Sequence, residues 1–484
     1  MKALKDILFR VSIDAVQGEL DRPVVAIAFD SRKVVPQGMF VAQAGENFDG
    51  HRFIDQAIQA GATTVVCEVL PELMQADVTY VRVGDSRLAL GQMAANFYDA
   101  PSAKLRLVGV TGTNGKTTVT TLLYDIFTRL GFTTGLISTI RTMIGTVAQD
   151  SSHTTPDPLQ LQESLKAMVD AGVTHCFMEV SSHGIAQKRI EGLTFAGGVF
   201  TNLSHDHLDF HKTFAQYRDV KKEFFDQLPE EAFALVNADD KNAAYMLQNC
   251  SAKHIKYALK TQADYRVKIL ENQFEGMLLS FQQTEVWTQL VGTYNASNLL
   301  AVCAVAQELG VPAEVLFPQM SLLKNVEGRF EVLRLQNRVV IVDFAHTPDA
   351  LKNVLQTINA IRTQNETLYT LIGCGGDRDA EKRPEMGKVA AQESNRVIFT
   401  SDNPRNESPE NILKEMMAGV APEDYKKTLS ITSREEAIQA VSRMAAEGDV
   451  VLIAGKGHEK YQEINGERLP FDDSALAQKY FTEI

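Results

Sequence analysis

The chain has 484 residues, 44% apolar and 23% charged, which is enough for about three domains of ordinary size, each with its own core. A formal net charge of −13 argues against a nucleic-acid partner held on a broad basic face and leaves room only for a local basic pocket around an anionic ligand. No run approaches a membrane-spanning length, residues 1–20 lack a signal-peptide core, and Cys67, Cys176, Cys250, Cys303 and Cys374 form no C-x-x-C pair, so a reducing cytoplasm is the expected setting.

Residues 1–101 show short β-like runs at 24–29, 63–67 and 78–83 and a helical stretch at 51–60. The run 105–110 then reads as a buried strand. Beyond it Val119, Leu122, Leu123, Ile126, Phe127 and Leu130 recur at helical spacing until Gly131 stops the helix. Between strand and helix lies Thr111-Gly112-Thr113-Asn114-Gly115-Lys116-Thr117-Thr118, a phosphate-cradling loop. Its glycines admit close backbone approach and the helix N-terminus adds partial positive charge. Lys116 can reach the β- and γ-phosphates, and a Thr hydroxyl can ligate Mg²⁺. Val110 stands where the general Walker pattern has Gly.

Two further strand ends carry unusual polar residues. Glu179 closes the apolar run 177–180 and leads into Ser181-Ser182-His183, and residues 198–203 lead into a segment with three His and two Asp between His205 and His211. That segment falls one residue short of the H-x-H-x-D-H zinc-hydrolase signature, with Phe210 in place of the last His.

From residue 332 onward, buried strands are expected at 339–343, 369–373, 397–400 and 450–454, separated by helical stretches, the pattern of a parallel doubly wound sheet. Ligands of such sheets sit at the carboxyl ends of the strands, where polar sequences follow Val110, Val180, Phe200, Val342, Thr400 and Ala454. Arg378, in a Gly-rich loop, and Arg405, in Asp402-Asn403-Pro404-Arg405, can each grip a carboxylate through two parallel hydrogen bonds.

Taken in order, the segments 111–118, 179–183, 201–209, 294–298, 343–349 and 455–459 resemble the Mur ligases, which build the peptide stem of bacterial peptidoglycan. The chain looks most like the members that add the third amino acid to UDP-N-acetylmuramoyl-L-alanyl-D-glutamate, and 402–405 resembles the motif of the branch that uses meso-2,6-diaminopimelate. The resemblance implies an α/β protein of three domains: a smaller N-terminal α/β domain, 1–101, for the UDP substrate; a central P-loop domain with a doubly wound, mostly parallel sheet, 102–331, for ATP; and a C-terminal Rossmann-like domain, 332–484, for the amino acid. It also implies a monomer that makes an acyl phosphate on the D-glutamyl carboxyl and lets an amine displace phosphate from it.

By matching motifs, Gly112, Thr113, Asn114, Gly115, Lys116, Thr117, Thr118, Asn295, Arg329, Asp343 and His346 would surround ATP. Thr117, Glu179, His207 and a carbamylated Lys221 would hold Mg²⁺, and Lys116, Lys221, His207 and Glu179 would be the catalytic group; Lys222 is a second candidate for the modified lysine. Ser31, Arg32, Asn47, His51, Thr154, Thr155, Ser182 and Arg189 would take the UDP-sugar peptide, and Arg378, Asp402, Asn403, Arg405, Gly455 and Glu459 the diaminopimelate. Three alternatives share much of this pattern: a lysine-adding member of the family, folylpolyglutamate synthase, and a non-enzymatic nucleotide switch.

Overall fold

A computed structural model describes residues 1–45, 49–151 and 153–482. Three sheets organise them. The first has five strands in the order Ala15–Gln17, Thr79–Arg82, Ala62–Cys67, Gly38–Val41 and Ile27–Ala28, parallel except at the Ala15–Gln17 edge. The expected run at 24–29 is in fact split. Pro23–Val24 pairs with Lys2–Ala3 in a separate two-stranded sheet, and the chain crosses over at the exposed Val25, whose N–H bonds to Gln37. The stretch at 51–60 is likewise divided, a 3-10 turn at Gly50–Phe53 capped by Asp49 running into the helix Ile54–Gln59.

The central sheet has eleven strands. Its parallel middle runs Thr134–Ile137, His175–Glu179, Arg106–Thr111, Gly197–Phe200, Phe233–Asn237 and Lys253–Ala258, with antiparallel strands added at both margins. In this register Glu179 lies opposite Val110 and Phe200 opposite Thr111, so three strand ends converge on the loop after Thr111. The helix Lys116–Arg129 starts at Gly115, whose φ of +89° suits glycine, and buries Val119, Leu122, Leu123, Ile126 and Phe127 against Val108, Val110 and Phe177. Each such side chain contributes about 1.5–3 kcal/mol of burial free energy, so the loop sits on a rigid base.

The third sheet runs Glu331–Leu335, Arg338–Asp343, Val450–Ala454, Leu368–Ile372, Arg396–Phe399 and Thr428–Ser430, parallel apart from its first strand. The chain enters it through Gly328, where an added Cβ would lie 2.1 Å from the backbone nitrogen of His458, so only glycine lets the two backbones meet there.

Candidate active site

The loop 111–118 is held from two sides. An added Cβ at Gly112 would lie 1.9 Å from the Thr201 Oγ1, and one at Gly115 would lie 2.7 Å from the Asn298 Oδ1. Thr113 N–H donates to the Asn202 carbonyl at 2.8 Å, Asn114 N–H donates to Asn202 Oδ1 at 3.0 Å, and Thr201 Oγ1 donates to the Asn114 carbonyl at 2.6 Å. The strand end at Phe200 therefore clamps the loop through protein contacts of its own. Lys116 folds back so that Nζ donates to the carbonyls of Gly112 and Thr113 at 2.9 and 2.8 Å. Burial lowers its pKa, against Glu179 and Asp206, which raise it. Thr117 and Thr118 are buried in the first turn of the helix.

Beside this loop stand the groups named as metal ligands. Glu179, 1% exposed, accepts from the backbone N–H of Thr139 at 2.8 Å and from its hydroxyl at 3.2 Å. Burial lowers the His207 imidazole to about 3, so it is neutral at pH 7 with a lone pair to offer. Lys221 is 1% exposed, its Nζ 3.0 Å from the Gly112 carbonyl and 4.8 Å over the Tyr217 ring. Burial, with the Lys116 charge behind it, drives its pKa well below that of an ordinary lysine. Lys222 turns the other way, onto Asp226.

Among the described residues no group of three or more His, Cys, Asp or Glu is arranged to hold a metal, and Phe210 packs on His183 with centroids 4.3 Å apart. A single carboxylate, a neutral imidazole and a Thr hydroxyl form a sparse set in which oxygen donors predominate. It fits Mg²⁺, which keeps waters and substrate phosphates among its ligands, better than a tight four-ligand zinc site.

The third sheet reaches this loop through Arg329, whose Nη2 donates to Thr117 Oγ1 at 3.2 Å while its guanidinium lies 4.5 Å over the Phe344 ring. Asp343 accepts from Phe330 N–H at 2.7 Å, and burial raises its carboxyl to about 6 against the pull of Arg329. His346 is bonded through Nδ1 to the Phe344 carbonyl at 3.0 Å. Asn295 is buried and spends its side chain on the Val291 carbonyl and on Asn298.

Asp206 was not singled out by its spacing, yet it faces this junction. Burial raises its carboxyl, but His207, His346, Lys116 and Lys382 together outweigh that and hold it below its usual value. The dense His/Asp segment marks its neighbourhood, but only the fold brings Lys382 and His346 to it.

A second cluster fills the carboxyl edge of the third sheet. Asn403 donates from Nδ2 to Glu459 at 2.8 Å and accepts at Oδ1 from Lys456 Nζ at 2.9 Å and from Glu463 N–H at 3.0 Å. Lys456, fully buried, also lies 3.1 Å from Glu459 and 3.5 Å from Asp402. Burial and Asp402 raise the Glu459 carboxyl. Gly455 has φ +111°, and a Cβ there would lie 2.7 Å from Asp402 Oδ2. Arg405 donates from Nη1 to the Gly376 carbonyl at 2.7 Å, and Gly375 faces the same guanidinium with no side chain to obstruct it. Arg378 stands at the exposed rim of that glycine loop.

Arg434 braces the pocket from beneath. Its fully buried guanidinium pairs with Asp473 at 2.7 Å and donates to the carbonyls of Ala454 and Ser401, the residues just before Gly455 and Asp402. Lys456, Glu463 and Arg434 are therefore functional neighbours the sequence reading missed. The Asn465-Gly466 turn, a strong hairpin signal between alternating residues, marks the strand that carries Glu463.

The groups named for the UDP-sugar peptide fall in two places. On the first sheet Ser31 donates to Gln56, Arg32 pairs with Asp30 through two hydrogen bonds, and His51 joins Asp49 to the N–H groups of Glu68 and Val69; Asn47 lies outside the described residues. On the central sheet Thr155 donates to the Glu179 carbonyl at 2.8 Å, Arg189 donates to the Thr155 carbonyl at 2.6 Å, and Thr154 bonds Thr139 at 2.9 Å. Ser182 Oγ is buried with no hydrogen-bond partner among the described residues. Thr154, Thr155 and Ser182 are thus placed around the carboxyl end of the Glu179 strand, beside the phosphate loop.

Fold and site together define a P-loop α/β enzyme in which Arg329 links the phosphate loop on one sheet to the charged pocket on another, touching Thr117 and feeling the Glu459 charge. The chain belongs to the Mur ligase family: residues 23–98 match the Mur ligase family catalytic domain, 110–306 the Mur ligase middle domain, and 328–457 the Mur ligase glutamate ligase domain. It is 52% identical over 478 residues to the UDP-N-acetylmuramoyl-L-alanyl-D-glutamate--2,6-diaminopimelate ligase of Cytophaga hutchinsonii, covering 98% of both chains. It is 48% identical to the protein of the same name from Bacteroides fragilis, covering 99% of both. A solved structure of a ligase of that name superposes with a TM-score of 0.70 at 33% identity, over 99% of this chain and 98% of the other. Among the described residues no helix is long and apolar enough to cross a membrane.

Proposed function

We propose that this protein adds meso-2,6-diaminopimelate to UDP-N-acetylmuramoyl-L-alanyl-D-glutamate at the expense of ATP, releasing ADP and phosphate, as a step in making peptidoglycan precursor in the cytoplasm. The reading is carried by identity to ligases of that name along nearly the whole chain, and it is supported by a pocket in which cations and carboxylates alternate, suited to a diamino dicarboxylic acid.

ATP phosphorylates the free side-chain carboxyl of the D-glutamyl residue; the carboxylate oxygen forms the new P–O bond and ADP leaves. The neutral amine of diaminopimelate then attacks the acyl carbon, and the tetrahedral intermediate collapses with loss of phosphate and a proton. Proximity supplies much of the rate, because both co-substrates are held at facing sheet edges.

Lys116 would exchange its two loop carbonyls for the β- and γ-phosphates and so bring its charge to the transferring group. Gly112, Thr113, Asn114, Gly115 and Thr118 would line the phosphates. Asn295, Arg329, Asp343 and His346 would close round the nucleotide. When bound, Mg²⁺ would neutralise phosphoryl charge, held by Thr117, Glu179, His207 and Lys221 as its carbamate. The low proton affinity of Lys221 suits that modification: its lone pair attacks CO₂, an N–C bond forms, a proton leaves, and an anionic oxygen replaces a cation. Thr154, Thr155, Ser182 and Arg189 would receive the muramoyl peptide, and Ser31, Arg32, Asn47 and His51 the UDP end. Arg378, Asp402, Asn403, Arg405, Gly455 and Glu459 would hold diaminopimelate, and a monomer contains all of these groups.

Purified protein given ATP, Mg²⁺, the UDP-dipeptide and either meso-diaminopimelate or L-lysine tests the reading through phosphate release and product mass. Turnover with diaminopimelate and not lysine is expected. Turnover with lysine would replace the substrate, and phosphate release that ignores the amino acid would replace the ligase with a switch.

A further inference from the structure

The hairpin formed by Tyr461–Ile464 and Glu467–Pro470 has no part in the sequence motifs, yet its first strand and its turn are bonded to the 402–405 segment. Gln462 Nε2 donates to the Asp402 carbonyl at 2.6 Å, Glu463 N–H to Asn403 Oδ1 at 3.0 Å, Arg405 N–H to the Glu463 carbonyl at 3.0 Å, and Asn465 N–H to the Arg405 carbonyl at 2.8 Å. These bonds hold Arg405 in the left-handed region, φ +51°, which a long side chain adopts only when its surroundings fix it.

The side chains continue the pattern. The Glu463 carboxylate lies 3.6 Å from Arg405 Nε, on the opposite edge of the guanidinium from the Gly376 carbonyl, which accepts from Nη1 at 2.7 Å. Both side chains are mostly buried, Arg405 19% and Glu463 23% exposed, so neither charge is simply bathed in water. Two anchors on different edges fix the plane of a guanidinium, and Nη2 is left to meet a carboxylate. With Glu463 removed, one anchor remains and the planar group is free to turn about it.

We propose that Glu463 is a specificity-determining positioning residue, whose carboxylate holds the Arg405 guanidinium in the orientation that reads the distal carboxylate of the amino-acid substrate. This rests on the reading of the 402–405 pocket as the amino-acid site. Glu463 acts through Arg405 and does not itself bind substrate. A mere placeholder for the substrate carboxylate would be displaced on binding, and its removal would lower KM, the opposite of what a positioning role requires.

The test measures KM for meso-diaminopimelate, L-lysine and ATP in the full-length protein and in E463A, E463Q, R405A and E463A/R405A. E463A is expected to raise KM for diaminopimelate about tenfold while KM for ATP moves much less, and E463Q, which keeps the shape of the side chain but loses the charge that acts on Nε across 3.6 Å, to fall between E463A and the parent. In the R405A background E463A is expected to add nothing, because the two act as one unit. An unchanged or lowered KM for diaminopimelate in E463A, a rise shared equally by ATP, or a penalty that persists in R405A would each overturn the proposal. A parent protein that uses no amino acid would fail the proposed function itself. A diaminopimelate-specific parent with an unaltered E463A fails only the role of Glu463.

Discussion

The phosphate loop and the charged pocket around Arg405, proposed as the amino-acid site, are built on opposite principles. Around Gly112 and Gly115 the fit is made by backbone and neutral groups: Thr201, Asn202 and Asn298 pack against two glycines, and the lysines there, Lys116 and Lys221, rest on carbonyls of the loop. Around Arg405 the fit is made by charges, with Lys456, Asp402, Glu459, Glu463 and Arg405 drawn from three segments and each partly compensated by another. A polyphosphate is the same in every nucleotide-using enzyme and is well served by a fixed cradle of N–H groups. An amino acid must be distinguished from close relatives, and discrimination against a missing group depends on leaving a buried charge without its partner.

Breaking the cradle should have the largest effect. Gly112→Ala forces a methyl into the Thr201 hydroxyl, so ATP-dependent turnover should fall by on the order of 10³ with the amino-acid KM little changed; near-normal kcat/KM for ATP would show that the loop adapts. Lys221→Ala should cost on the order of 10² in kcat, with partial recovery when short carboxylic acids are added to occupy the carbamate position. Undiminished turnover in Lys221→Ala would exclude the carbamate.

Arg405→Ala sharpens the contrast from the other side. It should raise KM for diaminopimelate on the order of 10² and leave KM for ATP within about threefold, and equal effects on both would deny the pocket its specificity.

The smallest expected effect lies outside both sites. His175 is packed between Phe127 and Phe132, and burial lowers its pKa to about 4 from 6.5. The unfolded chain takes up this proton first as pH falls, so stability should drop between about pH 6.5 and 4 by at most about 3 kcal/mol. His175→Phe should flatten that part of the acid limb in chemical denaturation, and an unaltered slope would assign it to other groups.

Legibility followed the same division. The strand at Arg106–Thr111, the helix at Lys116–Arg129 and the glycines between them are contiguous, so periodicity and spacing were enough to reveal the elements. The glycines of 373–376 were legible only as a flexible loop. In the fold they clear space: Gly375 faces Arg405, and a Cβ at Gly376 would lie 2.0 Å from the Pro404 carbonyl. Residues 24–29 read as one strand because their apolar run is continuous, but a change of sheet at Val25 is decided by pairing partners far along the chain.

By itself the sequence determined what local physics controls: which segments are strands and helices, where a loop must admit phosphate, and which charged residues follow strand ends. Tertiary structure decided which of those charges meet. That Lys221 rather than Lys222 lies beneath the loop, that Asp206 faces Lys382, that Arg434 joins Ser401 to Ala454 and that Glu463 stands beside Arg405 all depend on contacts between distant segments. Such contacts are fixed by packing and strand order, and hydrophobic periodicity carries no record of which buried charge will find which partner.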